Sequence, residues 1–242
     1  MDWTDQGIVL SARKHGESSA IVTLLTSAYG VHAGLVRGGN GKRKRGDLQP
    51  GNKVQAHWRA RLAEHLGNYT CELSHAHAAT LLGDANKLAC LSAALAVTEQ
   101  SLPERQPHPA IFEGLSVLLE SLKGDIWPSV YVKWEVGLLG ELGFGLDLRS
   151  CASTGSTKNL VYVSPKSGRA VSRGAGEPYL KSMLALPAFL MTSGVAGETR
   201  EIIDGLALTG YFLERHVFAL AGKKQPAARR RLVERLSRHV NK

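Results

Sequence analysis

Apolar and polar positions alternate with a period of two in short runs over the first 80 residues. Residues 7–14 (Gly-Ile-Val-Leu-Ser-Ala-Arg-Lys) and 20–26 (Ala-Ile-Val-Thr-Leu-Leu-Thr) are rich in aliphatic and β-branched side chains, and His15-Gly16-Glu17-Ser18 between them is turn chemistry. After Tyr29-Gly30, Val31, Ala33 and Leu35 predict a third strand over 31–37. Val54, Ala56 and Trp58 alternate with Lys53, Gln55 and His57, which predicts a fourth over 51–58. Tyr69, Cys71 and Leu73 predict a fifth over 68–74. Five short strands in so few residues predict a small closed barrel. An OB-fold has this strand count and often binds single strands. An SH3-like barrel gives a similar pattern, and pattern alone does not separate the two.

From residue 84 the period lengthens to between three and four. Leu88, Leu91, Leu95 and Thr98 predict an amphipathic helix over 84–100. Pro103, Pro107 and Pro109 mark a connection. Ile111, Leu115, Leu118, Leu119 and Leu122 predict a second helix that ends before Gly124. Pro128 suits the first turn of a third, in which Tyr131, Trp134, Leu138 and Leu142 share a stripe that Gly143-Phe144-Gly145 ends. Stripes of this spacing fill cores. Glu135 lies beside the stripe with no second acid or histidine at helical spacing, so an ion pair or a surface position is expected of it, not catalysis. Leu160-Val161-Tyr162-Val163 and Arg169-Ala170-Val171-Ser172 flank a turn at 165–168 and predict a hairpin. Thr199 is the expected cap of a helix on which Ile202, Ile203, Leu206, Leu213, Val217 and Leu220 share one side. Pro226 opens a last helix, where Leu232, Leu236 and Val240 step by four. The predicted class is α+β. An OB-type barrel occupies residues 1–80. A helical domain follows over 84–242, with a hairpin inserted at about 146–175 and a basic C-terminal helix.

Composition narrows the class. The 242 residues, 43% apolar and 21% charged, are those of a globular chain with a sizeable core. No apolar run reaches the ~18–20 residues that span a bilayer, and the start Met-Asp-Trp-Thr-Asp-Gln is not a signal peptide. Cys71, Cys90 and Cys151 are odd in number and widely spaced, which predicts reduced thiols and a cytoplasmic protein.

Charge changes the picture more. The net charge of +9 is uneven: residues 1–83 hold 10 basic and 6 acidic residues, 84–195 hold 10 of each, and 196–242 hold 10 and 5. Arg37-Gly-Gly-Asn-Gly-Lys-Arg-Lys-Arg45 concentrates five cations among three glycines, between the third and fourth strands. Read as a mobile cationic loop on a barrel, it fits a polyanion, above all nucleic acid. The candidate contacts on the barrel are Arg13, Lys14, Arg37, Lys42, Arg43, Lys44, Arg45, Arg59 and Arg61. Arg229, Arg230, Arg231 and Arg235 on the last helix form a secondary set, for which a solvated face is an equal reading.

Enzyme chemistry finds little support. Cys151 and the serines at 164–167 lack the surroundings of a nucleophile, with no Gly-x-Ser-x-Gly, His-x-x-x-His or phosphate-loop motif. Gly143-Phe144-Gly145 follows a helix, whereas a dinucleotide fingerprint follows a strand. His75 and His77 sit at a strand end and read as polar surface.

The order of features resembles the RecO recombination-mediator family over nearly the whole chain. The resemblance is carried by residues 7–26, by Tyr-Gly-Val-His-Ala-Gly-Leu-Val-Arg-Gly-Gly (29–39) and by Leu-Gln-Pro-Gly-Asn (48–52). Trp134-Glu135, Leu138-Leu139, Leu142-Gly143-Phe144 and Val-Ser-Pro-Lys-Ser-Gly-Arg-Ala-Val (163–171) extend it. The resemblance implies a protein that is not an enzyme and needs no cofactor. It implies binding of single- and double-stranded DNA, strand annealing, and partnership with RecR and the acidic tail of the single-stranded DNA-binding protein SSB, to help load RecA. Lys133, beside the Trp134 stripe, is the candidate cation for that tail. An RNA-binding OB protein is the second reading, since the electrostatics are the same. Many members of the family carry a Cys-x2-Cys pair twice as a zinc site. Here the matching positions are Cys151 with Thr154, and Ser164 with Ser167, so no metal is expected.

Overall fold

In the computed structural model, which describes residues 1–192 and 194–238, the alternating N-terminal segment folds as five strands. They are β1 (Asp2–His15), β2 (Ser19–Thr26), β3 (Gly30–Val36), β4 (Lys53–Arg59) and β5 (Asn68–His75). They close into a barrel in the order β1-β2-β3-β5-β4, which is OB topology. All neighbours are antiparallel except β3 and β5, whose parallel pairing of Leu35 with Asn68 completes the closure. Val9, Val22, Leu24, Val54, Trp58 and Tyr69 fill the interior. Gly34 interrupts β3 for a reason of space: a Cβ there would lie 2.3 Å from the Tyr69 ring. The first strand begins five residues before the predicted Gly7.

The cationic stretch is not the expected loop. Residues 37–41 turn, with Gly38 at a φ of 68°, and helix α1 (Lys42–Asp47) follows. Leu48, just past α1, plugs into the barrel core. Asn52 Nδ2 donates to the carbonyls of Gly46 and Asp47 at 3.1 and 3.2 Å, which fixes the end of the helix.

Helices α2 (His77–Thr80), α3 (Ala85–Ser101) and α4 (Pro109–Ser121) come next. Asp84 caps α3 by accepting from the N–H groups of Asn86 and Lys87. Packing groups the chain into Met1–Lys123 and Gly124–Lys242, so α3 and α4 pack with the barrel. Specific bonds account for this. Ser11 Oγ donates to Glu99 of α3 at 2.7 Å, and the N–H of Arg105 donates to the Val31 carbonyl at 2.7 Å.

The second unit holds α5 (Trp127–Glu141), β6 (Leu160–Val163), β7 (Ala170–Ser172), α6 (Arg173–Gly176), β8 (Leu184–Ala185), α7 (Thr199–Phe212) and α8 (Ala227–Ser237). The predicted hairpin is β6–β7, and β8 adds a third strand in the order β7-β6-β8. Glu198, not Thr199, caps α7, through a reciprocal capping box with Glu201. A wider-wound turn over Leu213–Phe218 then shifts the helical phase, so Leu220 points to solvent and not along the predicted stripe. Val240, assigned to the last stripe, lies outside the described residues.

Inside this unit Glu135 is fully buried and paired with Arg229 of α8. Arg229 Nε reaches Glu135 Oε1 at 2.7 Å and Nη2 reaches Oε2 at 2.8 Å, a bidentate pair. Thr209 Oγ1 donates to the same carboxylate, and the Leu206 carbonyl and Gln225 Oε1 accept two further guanidinium protons at 2.9 and 2.7 Å. Burial opposes the charge on Arg229, but the Glu135 carboxylate overrides it and raises the guanidinium pKa further. Gly210 on α7 leaves room for this arginine, since a Cβ would sit 2.8 Å from Nη1. Of the two roles expected of Glu135, an ion pair or a surface position, the structure shows the ion pair.

Candidate nucleic-acid interface

At one end of the barrel the β1–β2 turn meets the turn that precedes α1. The N–H of Asn40 donates to the Ser18 carbonyl at 2.9 Å. A cleft of about 210 Å³ opens there, lined by Arg13, Lys14, Asn40, Arg45 and Gln49 among others. Lys42, Arg43, Lys44 and Arg45 are all exposed, α1 buries none of its residues, and its first turn holds no acid. Arg37 is exposed at the end of β3. The structure thus brings Arg13, Lys14, Arg37 and the α1 cations to one end of the barrel, on short, well-pinned backbone.

Arg59 and Arg61 lie elsewhere. Arg59 pairs with Asp2 at the opposite end of β4 from Lys53, roughly 20 Å away at the usual strand rise. Arg61 follows in the loop beyond it. That far end is aromatic. Trp3 stacks on Tyr29 with centroids 4.3 Å apart and planes at 11°, and Trp58, His32 and Tyr69 crowd behind. A pocket of about 450 Å³ opens among Trp3, Tyr29, His32, Trp58 and Arg105. Arg105 holds a left-handed backbone, φ 61°, and its guanidinium clamps the carbonyls of Ala63 and His65. Tyr29 is 38% exposed and offers a stacking face, whereas Trp58 is core. Trp3 and Arg105 were missed by sequence reasoning. The polar neighbours of Trp3 leave no alternation to read, and its pairing with Trp58 across β1 and β4 emerges only with the register.

His32 is enclosed by this cluster. Burial, with Arg105 nearby, lowers its pKa from 6.5 to about 4. The ring is neutral in the fold and protonates first in the unfolded chain. Its contribution to stability is therefore intact above pH 6.5 and is lost as pH falls towards about 4. The melting temperature of the barrel is expected to fall across that window, and to fall less in His32→Gln, as calorimetry at a series of pH values reads directly.

In the second unit the secondary arginine set splits. Arg230, Arg231 and Arg235 are exposed on α8, but Arg229 is 3% exposed and committed to Glu135. Arg229 is therefore removed from the candidate DNA contacts: a phosphate could reach it only by breaking a buried ion pair. Lys133 rims a pocket of about 220 Å³ with Val136, Leu148, Leu190, Met191 and Thr192. Its ammonium lies 3.3 and 3.4 Å from the carbonyls of Thr192 and Val195 and 5.7 Å from the centre of the Phe189 ring. None of the helices among the described residues is long and apolar enough to cross a membrane.

The family model described as "Recombination protein O N terminal" matches residues 1–76, and the one described as "Recombination protein O C terminal" matches residues 82–225. The DNA repair protein RecO of Rhodospirillum centenum is 55% identical over 237 residues, which cover 97% of this chain and 94% of that one. This chain belongs to the RecO family. The RecO proteins of Rhodospirillum rubrum (50% identity, 98% of this chain and 97% of that one) and Phenylobacterium zucineum (48%, 98% of each) are similar over the same extent. Membership of RecO places the chain in DNA repair and recombination.

The RecO zinc positions can be tested against the donor chemistry of the hairpin. Cys151 is buried, and its sulfur accepts from the N–H and hydroxyl of Ser172 at 3.3 and 3.4 Å. Burial pushes the thiol up, but hydrogen bonds from Ser172 and Thr154 outweigh it and bring the pKa to about 6. Ser164 and Ser167 are engaged with Arg169: the N–H of Ser164 donates to its carbonyl at 2.9 Å, and Ser167 Oγ accepts its N–H at 3.4 Å. One thiolate and three hydroxyls do not fit structural zinc. The strand pairing of β6 with β7 and β8 holds this region.

Proposed function

We propose that this chain is a non-enzymatic recombination mediator that binds single- and double-stranded DNA through the cationic end of its barrel and anneals complementary strands. With RecR, and on DNA coated by SSB, it helps load the RecA recombinase. One observation carries the reading: Arg45 of α1 lines one cleft with Arg13 and Lys14, and its neighbours Lys42, Arg43 and Lys44 are exposed on a helix that contributes nothing to the core. Such a surface neutralises phosphates without reading bases, which suits annealing of any sequence. The aromatic end supplies a stacking face.

Fluorescence anisotropy with labelled single-stranded DNA, duplex DNA and RNA, at about 50 and 200 mM salt, tests the proposal. Both DNA forms are expected to bind with steep salt dependence. Preference for RNA by tenfold or more would transfer the assignment to an RNA-binding OB protein.

The pocket rimmed by Lys133 is the proposed seat of the acidic SSB tail, with an apolar floor for its end and an ammonium for a carboxylate. Lys133→Glu is expected to weaken a tail peptide about fivefold, the effect of about 1 kcal/mol for an exposed charge pair, while DNA affinity stays the same. Unchanged peptide binding by calorimetry removes Lys133 from the site.

A further inference from the structure

His75 ends β5 and His77 begins α2, so the two straddle the point where strand pairing stops. Their rings lie 4.2 Å apart, centroid to centroid. Helix α4 brings Glu120 against both. Its Oε1 is 3.8 Å from Nε2 of His75 and 3.7 Å from Nε2 of His77. One ligand atom from each of the three residues falls within 4.8 Å of the others. A tetrahedral ion with bonds of about 2.0–2.1 Å holds its ligand atoms about 3.4 Å apart. Two edges of the triangle are therefore within about half an ångström of a coordination shell, a gap that small side-chain rotations close.

The surroundings divide the labour. The His77 side chain is 6% exposed and held by packing, while those of His75 and Glu120 are 44% and 52% exposed and free to adjust. The open side faces water, which can complete the shell. Two imidazoles and a carboxylate suit zinc, a borderline-soft ion. Lys123 opposes it: its ammonium donates to Oε2 of Glu120, the oxygen not aimed at the histidines, and it stands with Lys53 among the charges that act on His77. Any ion must enter against these two cations.

We propose that His75, His77 and Glu120 form a three-residue zinc site that clips the end of the barrel to helix α4 within the first unit. It is separate from the hairpin around Cys151. The ion adds a cross-link between the end of β5 and α4, elements far apart in sequence. It therefore stabilises the fold when bound and is lost to a chelator.

The full chain, stripped with chelator, is titrated with zinc by calorimetry and with cobalt by absorption spectroscopy. One ion per chain is expected at micromolar concentration, with a saturating rise in melting temperature and weak cobalt bands typical of nitrogen and oxygen ligands. His75→Ala and Glu120→Gln should each weaken binding by at least about tenfold while leaving the melting temperature of the metal-free protein in place, because both side chains are largely exposed. Lys123→Ala should tighten binding by removing the competing ammonium. Absence of saturable binding overturns the proposal. So does unchanged affinity in both ligand variants, or a thiolate-to-cobalt charge-transfer band, which would put the ion at Cys151.

Discussion

Arg229→Met lowers the stability of the second unit by about 3–5 kcal/mol, the usual result of leaving one member of a buried ion pair alone. Glu135 has no exposure to water and would keep Thr209 as its remaining side-chain donor. The Leu206 carbonyl and Gln225 lose their partner at the same time. Glu135→Leu should cost a similar amount for the converse reason. The double variant is expected to recover most of the loss, since two apolar side chains of similar volume replace a pair whose desolvation cancels much of its attraction. Urea denaturation of the two single variants and the double gives the coupling directly. Additive losses in the double variant would show that the residues do not act as a pair. DNA affinity at low temperature should be unchanged in all three, because Arg229 is closed to phosphate.

The second large effect concerns salt. Replacing Lys42, Arg43 and Arg45 with Ala removes three cations that bury nothing, so the melting temperature should stay in place; exposed substitutions of this kind change stability by about 0.5 kcal/mol or less. If each cation neutralises one phosphate of a single strand, the slope of log K against log salt flattens by roughly 2, at about 0.7 per contact. Affinity should fall steeply at low salt and little at high salt, for every sequence alike, and annealing should fall with it. The competing surface is α8. The comparison variant changes Arg230, Arg231 and Arg235 together and leaves Arg229 in place, because losing that side chain would confound binding with unfolding. A flattened slope in the α8 variant, with none in the α1 variant, moves the DNA site to the second unit.

How far these features were legible depends on how local their causes are. The five strands announce themselves through alternation, because each has one face in the barrel. Trp3 does not, because Asp2, Thr4 and Gln6 surround it and a lone aromatic gives no period. Helix α1 is invisible to periodicity, since Lys-Arg-Lys-Arg has no apolar face to repeat. Arg229 shows the opposite failure. A run of three arginines reads as one surface, yet its first member turns inward to a carboxylate 94 residues away. For Glu135 the sequence left an ion pair and a surface position open; burial decides for the ion pair, whose partner the sequence did not name. The surface reading of His75 and His77 holds for His75 but fails for His77, which is buried; the third member of their cluster, Glu120, comes from a distant helix.

The four tryptophans divide evenly, Trp3 and Trp58 in the first unit and Trp127 and Trp134 in the second, and Trp3 alone among them is not buried. Its stacking on Tyr29 places an emitter at the mouth of the aromatic pocket. The protein therefore carries its own optical label. A collisional quencher such as iodide or acrylamide should act on Trp3 first, and a base stacked at Tyr29 should shield it. The other three indoles, sealed in their cores, supply a constant background against which that shielding is read.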